Sequence, residues 1–158
     1  MTQQSGQASR VLVAIRVNAT PARAFAAFTE EIGQWWRPNG LFQFTRRRRG
    51  VPSFEPGPNG RLIETYEDGT VFVVGEVRVW DPPRRLVEES FAPDQSTELH
   101  VRFEEAGEQT RVTVEHFGWD TIPQRHAARH GFPLGPFQLR FAEWWQALLR
   151  NLRDRVSG

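Results

Sequence analysis

The chain has 158 residues, no cysteine, and 20 Lys and Arg against 19 Asp and Glu, for a formal charge of +1. That length suits one domain burying more than half of its unfolded surface. The even charge balance excludes a global field drawing the chain to nucleic acid or an anionic membrane, and the missing thiols exclude a disulfide framework, a thiolate nucleophile and a thiolate metal site.

Twelve Phe and six Trp stand against one Tyr. Large rings wall a pocket or fill a core with the same residue types. Met1 to Ser9 is polar and is expected to be a disordered tail ahead of a single domain over residues 10–158. It has no apolar stretch of the secretory kind, and no later run approaches the length of a membrane span, so a cytoplasmic address and no membrane partner are expected.

Residues 10 to 17 alternate, with Val11, Val13, Ile15 and Val17 on one face and Leu12, Ala14 and Arg16 on the other, which predicts a strand with its valine face inward. Thr20-Pro21 reads as a helix start, Thr20 the cap and Pro21 the first helical residue. The helix is expected over Pro21 to Thr29 with Ala24, Phe25 and Phe28 on one face, and a second short helical turn over Glu30 to Trp36 ahead of Arg37-Pro38-Asn39-Gly40.

From Leu41 to Phe117 short strands and turns repeat without a helical period, which predicts an antiparallel meander. Strands are placed near Leu41–Thr45, Val51–Glu55, Gly60–Tyr66, Thr70–Trp80, Arg85–Phe91, Thr97–Glu104 and Thr110–Phe117, with turns at Pro56-Gly57-Pro58-Asn59-Gly60, Glu67-Asp68-Gly69, Asp81-Pro82-Pro83, Ala92-Pro93-Asp94 and Glu105-Ala106-Gly107. In the last two strands Leu99, Val101, Phe103, Val112, Val114 and His116 share an apolar face, and the other face is expected to be wet. Residues 118 to 136 form a Gly- and Pro-containing connection, with one helical turn expected across Gln124–Arg129. Finally, Phe137, Phe141, Trp144, Trp145, Leu148, Leu149, Leu152 and Val156 fall on one stripe of an amphipathic helix of about five turns, whose partner is the sheet.

Four runs carry a family resemblance: Thr20-Pro21-Ala22-Arg23-Ala24-Phe25 with Ile32-Gly33-Gln34-Trp35-Trp36; Gly60-Arg61-Leu62-Ile63-Glu64; Gly75 through Leu86; and Thr110 through Trp119. Together with the element order they resemble the START and birch-pollen-allergen-like (SRPBCC) superfamily, and within it the bacterial branch related to the C-terminal domain of the heat-shock-chaperone ATPase activator. The resemblance spans about Arg10 to Val156. It implies an α+β helix-grip fold, a curved antiparallel sheet of six to seven strands around a long C-terminal helix, with two short helices after the first strand. One departure concerns the last helix, where the Gly-Trp common in the family is replaced by Glu143-Trp144-Trp145.

In the resembled fold the cavity lies between the concave sheet face and the last helix, which nominates Trp35, Leu62, Glu64, Phe72, Trp80, Phe103, His116, Phe141, Trp144 and Leu148 as lining. Polar groups aimed into such a space must be paired, neutralised or used by a ligand. Glu64, in phase with Leu62 and Tyr66, and His116, in phase with Val112 and Val114, are those groups; each also fits a plain structural hydrogen bond. His126 and His130 stand one helical turn apart, yet residues 127 and 128 are alanines where a zinc-helix motif needs a carboxylate. No metal or cofactor is expected. The run Arg46 to Arg49 fits a solvated loop better than a nucleic-acid footprint, so no nucleic-acid partner is expected. There is no phosphate loop, serine elbow or dinucleotide fingerprint.

The expected function is binding of a small apolar or aromatic molecule. The alternatives are a chaperone or other protein partner, and third, cyclase- or hydrolase-type chemistry with Glu64 or His116 as acid or base. Monomer and homodimer both fit.

Overall fold

Alternation in residues 11–17 makes the first strand, β1 (Val11–Val17). Helix α1 (Pro21–Glu30) follows, and Thr20 caps it as expected, its hydroxyl accepting from the Arg23 amide at 3.1 Å. A single turn, α2 (Ile32–Trp35), completes the helical insertion. Then come β2 (Val51–Phe54), β3 (Arg61–Thr65), β4 (Val71–Asp81), β5 (Arg85–Ser90), β6 (Thr97–Ala106) and β7 (Gln109–Phe117), a 3-10 turn at Trp119–Thr121, and helix α3 (Leu134–Ser157). These elements belong to a computed structural model that describes residues 10–37, 50–90, 97–122, 129 and 132–157. The N-terminal tail, the strand expected at Leu41–Thr45, the arginine run, the turn at Ala92–Asp94, and His126 and His130 lie outside the described residues.

The seven strands form one antiparallel sheet in the order β1-β7-β6-β5-β4-β3-β2. The meander is thus sequential, with the N-terminal strand added beside β7. The turns use left-handed backbone where the sequence supplies Gly or Asn: Gly57, Asn59, Gly69 and Gly107 have φ of 90°, 67°, 85° and 66°. Two irregularities, between Leu62 and Ile63 and between Val77 and Val79, shift the register and bend the sheet about β4. This is the helix-grip fold.

Helix α3 runs along the hollow side from the His116 end of the sheet to the Asn18 end, where the Asn18 amide donates to Ser157 Oγ at 3.2 Å. It has 24 residues, longer than expected because it begins at Leu134, with Pro136 in the first turn where no intrahelical amide bond is lost. Its expected stripe is buried from Phe137 to Leu152, with Val156 packed at the margin. Polar ties hold the helix down: Trp144 Nε1 donates to the Arg37 carbonyl at 3.1 Å, Asn151 Nδ2 to the Trp35 carbonyl at 3.2 Å, and Arg155 Nε to Glu31 Oε1 at 2.6 Å.

The outer face of β7 corrects one expectation. Thr113 and Glu115 are buried there. Arg10 Nη1 and Arg102 Nη1 donate to the two oxygens of Glu115, so the ion pairs cover a face that charge patterning alone marks as wet. No helix among the described residues is long and apolar enough to cross a membrane.

Candidate functional site

Cross-strand pairing sorts the concave side chains into rows. Trp80, Leu86, Val101, Val114 and Val13 make one, and Phe103, Val112 and Ile15 the next. This half is apolar and α1 fills it: Phe25 packs edge-on against Trp80 and Phe103 with centroids 5.3 and 5.2 Å away, and Phe28 meets Phe103 at 5.8 Å.

Toward the other end the chemistry changes. The row Val77, Glu88, Leu99, His116 and Val11 is followed by Phe54, Leu62, Gly75, Ser90 and Thr97, and then by Pro52, Glu64 and Phe72. Glu64, Glu88, Ser90, Thr97 and His116 are all buried. A polar band therefore crosses the hollow side next to the rows on which Phe25 packs. Over the β7 end of this band stands a group of rings. His116 lies 5.2 Å from both Trp119 and Phe141, Trp119 is 4.7 Å from Phe137, and Phe141 leads through Trp144 at 5.6 Å to Trp36 at a further 5.2 Å.

The band is only partly satisfied. Glu64 accepts from Tyr66 OH at 2.7 Å and from the Gly50 amide at 3.3 Å. Ser90 Oγ donates to Glu88 Oε2 at 2.5 Å, against burial that pushes the Glu88 carboxyl up to about 7. His116 Nε2 is 3.1 Å from Thr97 Oγ1, whereas Nδ1 is buried without a partner among the described residues. Burial, with a smaller contribution from His100, pushes the imidazole down to about 3, so it is neutral at ordinary pH. A neutral imidazole donates through one nitrogen and accepts through the other.

Two features shape the surroundings. A Cβ on Gly75 would overlap Glu88 Oε2 and the Glu89 carbonyl, so glycine at this point of β4 makes room for the buried carboxyl. Gly75→Ala is expected to expel that carboxyl and lower the unfolding free energy by about 1–3 kcal/mol, read from urea midpoints; a variant as stable as the parent would contradict this packing. Arg129 is buried and pins the connection before α3, its terminal nitrogens donating to the carbonyls of Ile122 at 2.8 Å, Phe132 at 2.7 Å and Trp119 at 3.4 Å, with its guanidinium 5.5 Å from the Phe137 ring.

Of the ten nominated side chains, His116, Phe141 and Trp144 come together over the polar band, with Leu62 and Glu64 farther across the same hollow face. Trp80 and Phe103 gather instead at α1, and Trp35 beside Phe28, where its Nε1 donates to the Ala27 carbonyl at 2.9 Å. Leu148 is buried core of α3. Phe72, opposite Glu64, is 40% exposed. Sequence reasoning passed over Glu88, Ser90, Thr97 and Trp119. The parity of β5 carries the signal for two of them, since counting by twos from Leu86 turns Glu88 and Ser90 inward. Among the described residues no three His, Asp or Glu side chains are grouped to hold a metal.

The profile of the family described as "Activator of Hsp90 ATPase homolog 1-like protein" matches residues 18–157. No curated protein sequence matches. Among solved structures the fold is similar to the Aha1 dimer from Colwellia psychrerythraea, at 16% identity and a TM-score of 0.63 over 94% of this chain and 96% of that one. It is also similar to CalU16 from Micromonospora echinospora, at 17% identity and 0.59 over 94% and 76%. A third is DynU16, from the dynemicin biosynthetic locus, at 18% identity and 0.63 over 92% of this chain and 46% of that one. At these identities the likeness is one of fold.

Proposed function

The chain belongs to the activator of Hsp90 ATPase homolog 1-like family, and on that premise we propose that it binds a small, largely apolar molecule between the concave sheet face and α3. One observation carries this reading: His116 Nδ1 is a buried, unpartnered polar atom among the described residues, set in a polar band beneath aromatic rings. Folding alone gains nothing from burying an imidazole and a carboxyl there, because each loses hydration that its single hydrogen bond only partly returns. A molecule that meets these groups and slides its apolar body against Trp119, Phe141 and Trp144 supplies the missing compensation. The solved DynU16, from a biosynthetic locus, supports a small-molecule role for this fold. We place the protein in the cytoplasm.

Titration with a panel of aromatic and aliphatic compounds is expected to give a saturable change in Trp emission. The His116→Phe variant, folded by its thermal melt, is expected to bind about tenfold more weakly, as loss of one buried hydrogen bond implies. A flat response across the panel would refute the proposal.

A second reading, a chaperone or other protein partner, draws on a different observation. Val51, Val71 and Val73 stand exposed on the outer face of β2–β4, the kind of apolar strip that contacts between proteins cover. Val71→Asp with Val73→Asp separates the readings, since a partner surface loses its partner while uptake of the small molecule is unchanged.

A further inference from the structure

We propose that the molecule held at the concave face is uncharged and donates a hydrogen bond, a phenol or alcohol rather than a carboxylate. This deepens the binding reading above and rests on it. The argument is an inventory of hydrogen-bond roles along the polar band.

Glu64 has a donor on each oxygen, from Tyr66 and from the Gly50 amide. Glu88 has only one. Ser90 Oγ takes Oε2, and no described residue donates to Oε1. Two strands away, in the same row, His116 offers Nδ1, its other nitrogen held by Thr97. Strand spacing places the two residues' Cα atoms roughly 10 Å apart with Leu99 between them, so a flat molecule lying over Leu99 meets a carboxyl at one end and an imidazole at the other. A hydroxyl satisfies either end, donating to Glu88 Oε1, or to His116 Nδ1 in the tautomer that leaves it an acceptor.

A carboxylate has no hydrogen to donate to Glu88 Oε1 or to the acceptor tautomer of His116 Nδ1. Where Glu88 is ionised, above about pH 7, a carboxylate would bring a second negative charge beside it, and like charges out of water repel strongly. Arg10 and Arg102 are spent on Glu115 across the sheet, and the terminal nitrogens of Arg129 are committed to three backbone carbonyls, which leaves only its Nε without a partner among the described residues.

The test uses matched pairs that differ only in the end group: naphthol and naphthoate, phenylphenol and phenylbenzoate, decanol and decanoate. Each is titrated into the full chain and into Glu88→Gln, with Trp emission and native mass spectrometry as readouts. The hydroxyl member is expected to bind at least about tenfold more tightly to the parent, the size one good hydrogen bond gives. With the titrations run above about pH 7, Glu88→Gln is expected to narrow that preference, because an amide tolerates a carboxylate neighbour and an ionised carboxyl does not. Carboxylates binding as tightly as their partners, or a preference unchanged in Glu88→Gln, would overturn this assignment while leaving the binding reading intact. Binding by none of the six compounds would sink the binding reading and this one with it.

Discussion

Phe28→Ala is expected to lower the unfolding free energy by about 3–5 kcal/mol, the range for removing a large ring from a filled interior. Phe28 is fully buried, stacks on Trp145 with centroids 6.5 Å apart and planes 6° apart, and touches Trp35, Phe54 and Phe103. These neighbours come from α2, β2, β6 and α3, so one ring joins the short helices, both halves of the sheet and the long helix. Its loss leaves a cavity that no single element can collapse into. Urea denaturation of the variant checks this. A cost near 1 kcal/mol would mean that α1 sits loosely on the sheet, and the division of the hollow face into a filled half and a polar half would fail.

The second large effect is one of pH. Glu88 → Gln is expected to stabilise the protein relative to the parent at alkaline pH and not at acid pH. In the unfolded chain Glu88 ionises near its ordinary 4.5, whereas burial holds the folded carboxyl up to about 7. Between those values the folded state binds more protons, so parental stability falls as pH rises through the window, by about 3 kcal/mol in all. Glutamine has no proton to lose. The stability of the variant minus that of the parent is therefore expected to be level below about pH 4.5, to climb through the window, and to level off above about pH 7 roughly 3 kcal/mol higher.

His116 acts in the opposite sense. Its folded pKa of about 3 lies below the ordinary 6.5, so the unfolded chain binds the extra proton and stability is lost as pH falls from 6.5 through 3. In the parent the two groups offset one another between about pH 4.5 and 6.5, and Glu88→Gln is expected to uncover the His116 slope there. A difference curve flat from acid to alkali would show that Glu88 is hydrated in the folded protein.

Much of the architecture was legible because each signal had one physical meaning. Val11 to Val17 alternates with the period of a strand, Thr20-Pro21 caps a helix, and the Phe, Trp and Leu stripe from Phe137 to Leu152 has a helical period and a length that only a sheet can cover. The inward phase of His116 followed from Val112 and Val114, and that of Glu64 from Leu62. The partition of the hollow face was not legible. Which rings plug it and which stand over the polar band depends on which rows α1 packs against, and that is a matter of register between strands distant in sequence. Glu88 and Ser90 share the inward parity of Leu86, but only the strand pairing shows one of them set above Gly75. Glu115 misled in the opposite direction, its burial resting on arginines 105 and 13 residues away in sequence.

The most direct test of a ligand site beneath α3 is native mass spectrometry of the protein purified from its own host. The expected spectrum carries an added mass of a few hundred daltons, the scale of a molecule that such pockets enclose, and the addition is lost from His116→Phe. The bare polypeptide mass in both preparations, gently ionised and freshly isolated, would contradict the claim that the polar band is built to hold a small molecule.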